Sequence, residues 1–556
     1  MKNISKSLII SILALTMSFG SNAQEHNEQV TVEGSYRPQI KRSERLVKNP
    51  ETPRNNFNIP EYKASTKDFD YGYDLEMETM SALQYKPSQD SDIKGNMLKA
   101  AFGTRLSPVF SYHHYSDLSK TMSLKVGIDH YSTWLDQKDY KKSTFMNNGA
   151  NIVTTNKFKA GQLDIFGNYH YDMYHLRSYD DYLGNEITND NGRNIHSLKA
   201  GAKWTSVGTS YRQLYQEYSG DYHYAGIVGG TNENQVNVNA HLAYSDSWIG
   251  KKSIDNLQTI NVDFGANFDY VYKSQFMIGL KPNFTMNGEF YGLKLGFNVD
   301  FKTDEKVGFY PDIKGSFLLF NKDLELFAKL GGCSKINTFE SIVKENPFVT
   351  TDFTYLSDFG YEKNSFDFDF GAKMNIFNIL DLYIGGRYRI MENGLFYIPD
   401  YDFYANYDKD DAIYHLQAFD VTFMDYNLWK FMFDVNWKIN DDANASLSMT
   451  FNNYSISRAW YKPAFELTLG GDYRLDDAWK FNASALVMGK RWALDENAQE
   501  IELKTAFDIQ LGTDYQLNKD LVAFAEIHNL IHNKYQLYYN YPSMGFELFL
   551  GLKYKF

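Results

Sequence analysis

One cysteine, Cys333, is all that 556 residues contain, so no internal disulfide framework holds this chain together. No cysteine sits just after the N-terminal apolar run, where a lipoprotein would carry its lipid. Past that run, no stretch approaches the ~20 apolar residues of a membrane-spanning helix, and the mean hydropathy is -0.48. Basic charge is also short. Lys and Arg number 56 against 69 Asp and Glu, a net charge of -13, which excludes a nucleic-acid partner that would want a basic face. Neither a Gly-x-Ser-x-Gly elbow nor a His-Glu-x-x-His helix is present, so the familiar hydrolase signatures are missing.

What the chain has in abundance is aromatic side chains: 43 Tyr, 41 Phe and 8 Trp, 17% of all residues. They recur throughout instead of gathering at one place. From about Asn96 onward they fall into segments with period-two alternation, the pattern of strands. Phe507, Ile509, Leu511, Thr513 and Tyr515 point one way, and Asp508, Gln510, Gly512 and Asp514 the other. Phe465, Leu467, Leu469, Tyr473 and Leu475 oppose Glu466, Thr468, Asp472 and Arg474. Phe366, Phe368, Phe370, Ala372, Met374 and Ile376 oppose Asp367, Asp369, Lys373 and Asn375. Val262, Phe264, Ala266, Phe268 and Tyr270 repeat the theme against Asp263, Gly265, Asn267 and Asp269.

A β-sandwich alternates too, but its apolar face is the inner one and does not call for so regular an aromatic finish. A lipid-facing apolar band around a wet interior accounts for both features. In hydrocarbon every backbone N–H and C=O must find a partner inside the protein, and strands achieve that only in a closed barrel. Tight polar turns at Leu475–Ala478, Asn440–Ala443 and Leu517–Asp520 alternate with longer connections at Met488–Glu500 and Tyr454–Pro463, the asymmetry of short periplasmic turns and long external loops. The expected fold is therefore all-β: a closed antiparallel transmembrane β-barrel over 96–556, with on the order of 20 strands (range ~18–22). No register is evident between about Asn393 and Tyr426.

The N-terminus divides in two. Lys2 and Lys6, the apolar run Leu8–Phe19 and the small-residue site Ser21-Asn22-Ala23 predict a signal peptide over 1–23, cleaved before Gln24. Residues 24–95 are polar and hold Pro38, Pro50, Pro53, Pro60 and Pro87. Between Arg37 and Lys67 they carry eight Lys/Arg and three Glu. This segment reads as a short extended arm, either loosely ordered in the periplasm or placed in an acidic lumen.

Specific motifs cluster at the C-terminus. Phe546, Leu548, Leu550, Leu552, Tyr554 and Phe556 alternate to an aromatic last residue, which resembles the terminal signal read by the barrel assembly machinery, with Leu552, Tyr554 and Phe556 at its end. Phe524–Leu530, Asn533-Lys534-Tyr535 and Tyr541–Phe546 resemble the closing segment of TonB-dependent receptors, and Ala459–Leu467 is similar to receptor-like barrels without a full plug. Glu28–Pro38 looks like the Val-rich strand that opens a plug, although about 70 residues precede the barrel where the family's plug takes roughly twice that. The resemblance implies an outer-membrane transporter or receptor for an external solute, in contact with outer-membrane lipid and lipopolysaccharide. It implies Val30, Thr31, Val32 and Glu33 as the contact with a TonB-type periplasmic protein, and allows a surface lipoprotein as a further partner. No cofactor and no metal site are expected, and catalysis is not.

Inward charges are the other candidates: Asp367, Asp369, Lys373, Glu466, Asp472, Arg474, Asp508 and Asp514 would line the lumen and either tune solute passage or anchor the arm. The alternative is a non-transporting surface protein whose loops bind a partner. A barrel-borne hydrolase using His113-His114 is a weaker reading, since alternation sends one ring to each face. The carboxylates Asp400, Asp402, Asp408, Asp410 and Asp411 read as a solvated acidic loop, lacking the glycine and terminal Glu of a calcium loop. Tyr538, Tyr539 and Tyr541 read as interface-girdle residues, with sugar stacking as the functional alternative.

Overall fold

The computed structural model describes residues 95–556 apart from 138–142, 179–191, 208–210, 251–256, 272, 304–306, 321, 351–360, 401–415 and 496–497. The signal peptide and the arm, including Val30–Glu33, lie outside the described residues, as do Asp402, Asp408, Asp410 and Asp411.

The barrel strands are numbered here in chain order. The first eight are β1 (Asn96–Gly103), β2 (Ser107–Ser119), β3 (Met122–Thr133), β4 (Phe145–Lys157), β5 (Gly161–His175), β6 (Gly192–Ser206), β7 (Tyr215–Ile227) and β8 (Asn232–Asp246). Then come β9 (Gln258–Tyr270), β10 (Ser274–Asn287), β11 (Tyr291–Lys302), β12 (Gly308–Leu319), β13 (Leu324–Ile336), β14 (Tyr361–Ile376) and β15 (Leu380–Pro399). The last are β16 (Phe419–Lys438), β17 (Ala443–Tyr454), β18 (Phe465–Arg474), β19 (Trp479–Met488), β20 (Ala506–Gln516), β21 (Leu521–His528) and β22 (Glu547–Lys555).

Each strand pairs antiparallel with the next, and β1 pairs with β22 from Met97↔Lys555 to Gly103↔Phe549. The sheet therefore has 22 strands and no free edge, which is what hydrocarbon demands of a strand-built span. The count sits at the upper end of the expected range. At the seam the last residue takes part: the Phe556 N–H donates to the Asn96 carbonyl at 2.9 Å, and the Asn96 N–H donates back at 2.8 Å. Leu552, Tyr554 and Phe556 stand exposed on the outer face.

The two faces of the wall are chemically opposite. Phe264, Phe268, Tyr270, Phe370, Leu469, Tyr473, Phe507, Leu511 and Tyr515 are all exposed, whereas Asp269, Asp367, Asp369 and Asp508 are buried. Large apolar side chains exposed in such number around a whole molecule are a membrane surface.

Turn chemistry explains the short end. Asp476 accepts from the Ala478 and Trp479 N–H groups at 2.8 and 2.7 Å, and Asn518 accepts from Asp520 and Leu521 at 3.0 Å each. Short polar side chains that close their own turns are why Asn and Asp recur there.

The region without a legible register covers the loop-side ends of the two longest strands, β15 and β16, 20 residues each. They pair as far as Pro399↔Phe419, with a bulge between Met391 and Gly394 where Asn393 has φ 55°. The bulge resets the alternation, and that hid the pattern. Twenty residues exceed the ~9–11 that a strand needs to cross a bilayer, and the loop-side ends of both strands carry the contacts of a loop layer.

Candidate functional site

Asp367, Asp369, Lys373 and Asp508 alternate with the exposed aromatics along their strands, and most of the charges singled out in the sequence have a partner. Arg387 Nη2 lies 2.5 Å from Asp369 Oδ2, and Arg389 Nε lies 3.3 Å from Asp367 Oδ2. Lys373 Nζ is 3.8 Å from Glu325, and Lys553 Nζ is 2.8 Å from Asp514. Asp508 is buried and accepts from the Tyr535 hydroxyl at 3.1 Å. Glu466 is half-buried beside Lys430, and Asp472 is exposed at the opposite end of the same strand. Arg474 sits at the short-turn rim and binds Asp442 at 2.5 Å, so it belongs to a turn more than to the lumen. Cross-strand pairs of this kind recur around the wall, as in Lys199–Asp221, Lys203–Glu217 and Lys294–Asp312. The inner face is therefore mixed in sign, not simply acidic.

At the seam, Lys99 is buried with its Nζ 3.1 Å from Glu526 and 4.3 Å from the centre of the Phe524 ring. His113 and His114 face opposite sides: His113 lies 3.5 Å from Asp129, while His114 contacts Asn96 and Ser116.

Over the long-loop end lies a feature that alternation gave no hint of. The connection after β13 carries a helix, α1 (Phe339–Glu345), whose N-cap Thr338 accepts from the Ser341 N–H at 3.1 Å. Its apolar residues Phe339, Ile342 and Val343 are buried. Glu233, on β8, accepts from the Phe339 and Glu340 N–H groups at 2.6 and 2.9 Å. Glu340 in turn meets His223, on β7, at 2.8 Å. The far end is held by other elements: the Tyr397 hydroxyl donates to the Ile342 carbonyl at 3.3 Å, and the Tyr538 hydroxyl to the Glu345 carbonyl at 2.7 Å. Just beyond, Phe348 and Thr350 bond to the Phe419 backbone at 3.0 and 2.7 Å. The segment 338–350 is thus a strap fixed to β7 and β8 on one side and to β15 and β16 on the other.

An aromatic core locks the strap to the last loop. Phe348 stacks on Tyr541 with ring centres 3.7 Å apart and planes 21° apart. Phe419 lies 5.4 Å from Tyr538 and 5.7 Å from Tyr461, and Tyr461 lies 5.1 Å from Tyr538. Tyr538 and Tyr541 are buried, which corrects their reading as girdle residues. Their loop folds inward, where each ring removes ~150–250 Å² from water, and an aromatic in a loop looks the same in sequence whichever way the loop folds. Arg491 completes the layer, donating to the Gln536 and Leu537 carbonyls at 2.5 and 3.0 Å. Burial lowers its guanidinium to a pKa of about 10, so it stays charged at neutral pH.

No family profile matches the sequence, and no curated protein does. Solved structures do match in shape. The siderophore receptor PiuA from Acinetobacter baumannii is 11% identical, with 83% of this chain and 82% of that one covered and a TM-score of 0.61. The ferric-catecholate import receptor Fiu from K12 E. coli is 9% identical over 83% and 81%, with a TM-score of 0.60. The copper transporter OprC is 12% identical over 84% and 80%, with a TM-score of 0.59. The chain has the closed-barrel fold of these receptors and of the copper transporter. At these identities the receptor fold is shared and the side chains are not, so the strap and the inner wall of this receptor-like barrel have to be read on their own terms.

Proposed function

We propose that this receptor-like barrel takes up an external solute, with the strap and its aromatic core shutting the mouth at rest. The observation that carries the reading is the pairing of a closed 22-strand wall, charged on its inner face, with an ordered loop layer across one end. A wall built for lipid outside and water inside is suited to passage, and the solved transporters and receptors of like shape support it.

Val30–Glu33 would serve as the contact for an energy-coupling protein, adding as a strand to the partner's sheet edge, where main-chain hydrogen bonds supply the affinity. A photocrosslinker at Thr31 tests this in cells making a TonB-type protein. A crosslinked adduct, and uptake abolished by deleting residues 28–36, is the expected result. No adduct together with unchanged uptake would remove the energised reading.

The buried loop core also favours a second reading, a surface-binding barrel whose lumen never opens. Single-channel recording separates them, because a permanently shut barrel gives no conductance steps even after the strap is loosened.

A further inference from the structure

The register of the sheet places one row of inward-facing residues across six strands: Lys294, Lys314, Lys329, Asp369, Arg387 and Lys430, each directly opposite the next. Their inward direction follows from their neighbours, since Leu295, Ile313, Phe370, Trp429 and Phe431 are exposed on the outer face. Five cations share this level with one carboxylate, in a protein whose net charge is -13. Asp312 and Asp367, one row nearer the loop end, offset part of it through Lys294 at 2.6 Å and Arg387 at 3.6 Å, and Glu325, nearer the short turns, lies 3.8 Å from Lys314. Lys294 and Lys314 keep access to the lumen, their side chains being 32% and 40% exposed.

The next row toward the short turns carries no charge at all: Gly292, Ser316, Phe327, Gly371, Gly385 and Met432. Two rings lie flat on it. Phe327 and Tyr383 stack with ring centres 6.2 Å apart and planes 12° apart. They do so because the positions beneath are glycines. A Cβ at Gly371 would stand 3.2 Å from the Phe327 ring, and one at Gly385 would run into the Tyr383 ring. Lys314 and Lys373 approach the Phe327 ring to 5.8 and 5.3 Å.

We propose that this stretch of inner wall is a binding site for a multiply charged anion bearing a flat ring, the cation row holding its charges and the Phe327–Tyr383 platform its face. Carboxylates or similar oxyanions are what a row of ammonium and guanidinium groups recognises. A pair of rings pinned parallel to the wall offers a stacking surface with little further ordering cost. The proposal deepens the uptake reading, because it names the class of solute that the lumen would hold.

The test is calorimetric titration of the full chain in detergent with two probes, pyromellitate, a planar aromatic tetracarboxylate, and butanetetracarboxylate, equally charged and ringless. Pyromellitate should bind, at least about tenfold more tightly than the ringless probe. Replacing Lys314→Gln together with Lys430→Gln should weaken both probes by about tenfold or more, while Lys314→Arg with Lys430→Arg retains binding. Phe327→Leu should erase the preference for the ring and leave the ringless probe unchanged. Lys203→Gln, on a different part of the inner wall, serves as the control and should change nothing. Heat-modifiable mobility on gels confirms that each variant is a folded barrel. Failure of the wild-type chain to bind either probe, equal loss in the control, or unchanged binding in the double glutamine variant would each overturn the site. The measurement involves neither a TonB-type partner nor uptake, so its failure leaves the uptake reading standing, and the failure of uptake leaves the site standing.

Discussion

The Glu340 carboxylate of α1 meets the His223 imidazole of β7 at 2.8 Å and the Lys344 ammonium at 2.9 Å, so one acidic side chain ties the strap to the barrel wall. Burial by itself would raise this carboxyl, but the contacts with His223 and Lys344 outweigh it and bring its pKa down from 4.5 to about 2. A carboxyl lowered by folding stabilises only while ionised. Its contribution is complete above about pH 4.5 and is lost as the pH falls toward 2, an amount on the order of 3 kcal/mol. The protection of the 339–350 amides, their hydrogen exchange taken relative to the intrinsic rate at each pH, should therefore fall on acidification through that window. Glu340→Gln should exchange fast at every pH, and a profile identical to wild type would refute the tether.

Arg491 supports the last loop from beneath through two backbone carbonyls. Hydrogen bonds from a charged donor are worth ~1.5–3 kcal/mol. Arg491→Met should expose residues 535–541 to proteolysis while the barrel keeps its folded mobility on gels. Unchanged cleavage would show that the aromatic core holds this loop unaided.

Barrel closure depends on a close approach at Gly551. A Cβ there would stand 2.5 Å from both the Ala100 carbonyl and the Phe524 ring, distances no real side chain tolerates. Gly551→Val should block seam formation between β1 and β22 and abolish the heat-modifiable form. Assembly at wild-type yield would contradict the observed packing.

Phe431 is half exposed on the outer face of β16. Replacing it with Arg places a cation in the lipid-facing band, at a cost of ~2–4 kcal/mol near the bilayer midplane. Urea unfolding from liposomes measures this directly, and a shift near zero would place Phe431 outside the hydrocarbon.

The barrel is legible in the order of residues alone. Alternation of Phe and Tyr with Asp, Lys and Arg has period two, and in a strand that period is the same as the division between lipid and lumen. Asn and Asp marked the short turns because they close them with their own side chains. The strap, the buried Tyr538 and Tyr541, and the row from Lys294 to Lys430 were decided only by the tertiary structure. A loop's direction of folding leaves no period, since it depends on which distant side chains wait to receive it. Which strand residues share a level depends on register and stagger between strands. Those are properties of neighbours in space, and no single strand carries them in its own order of residues.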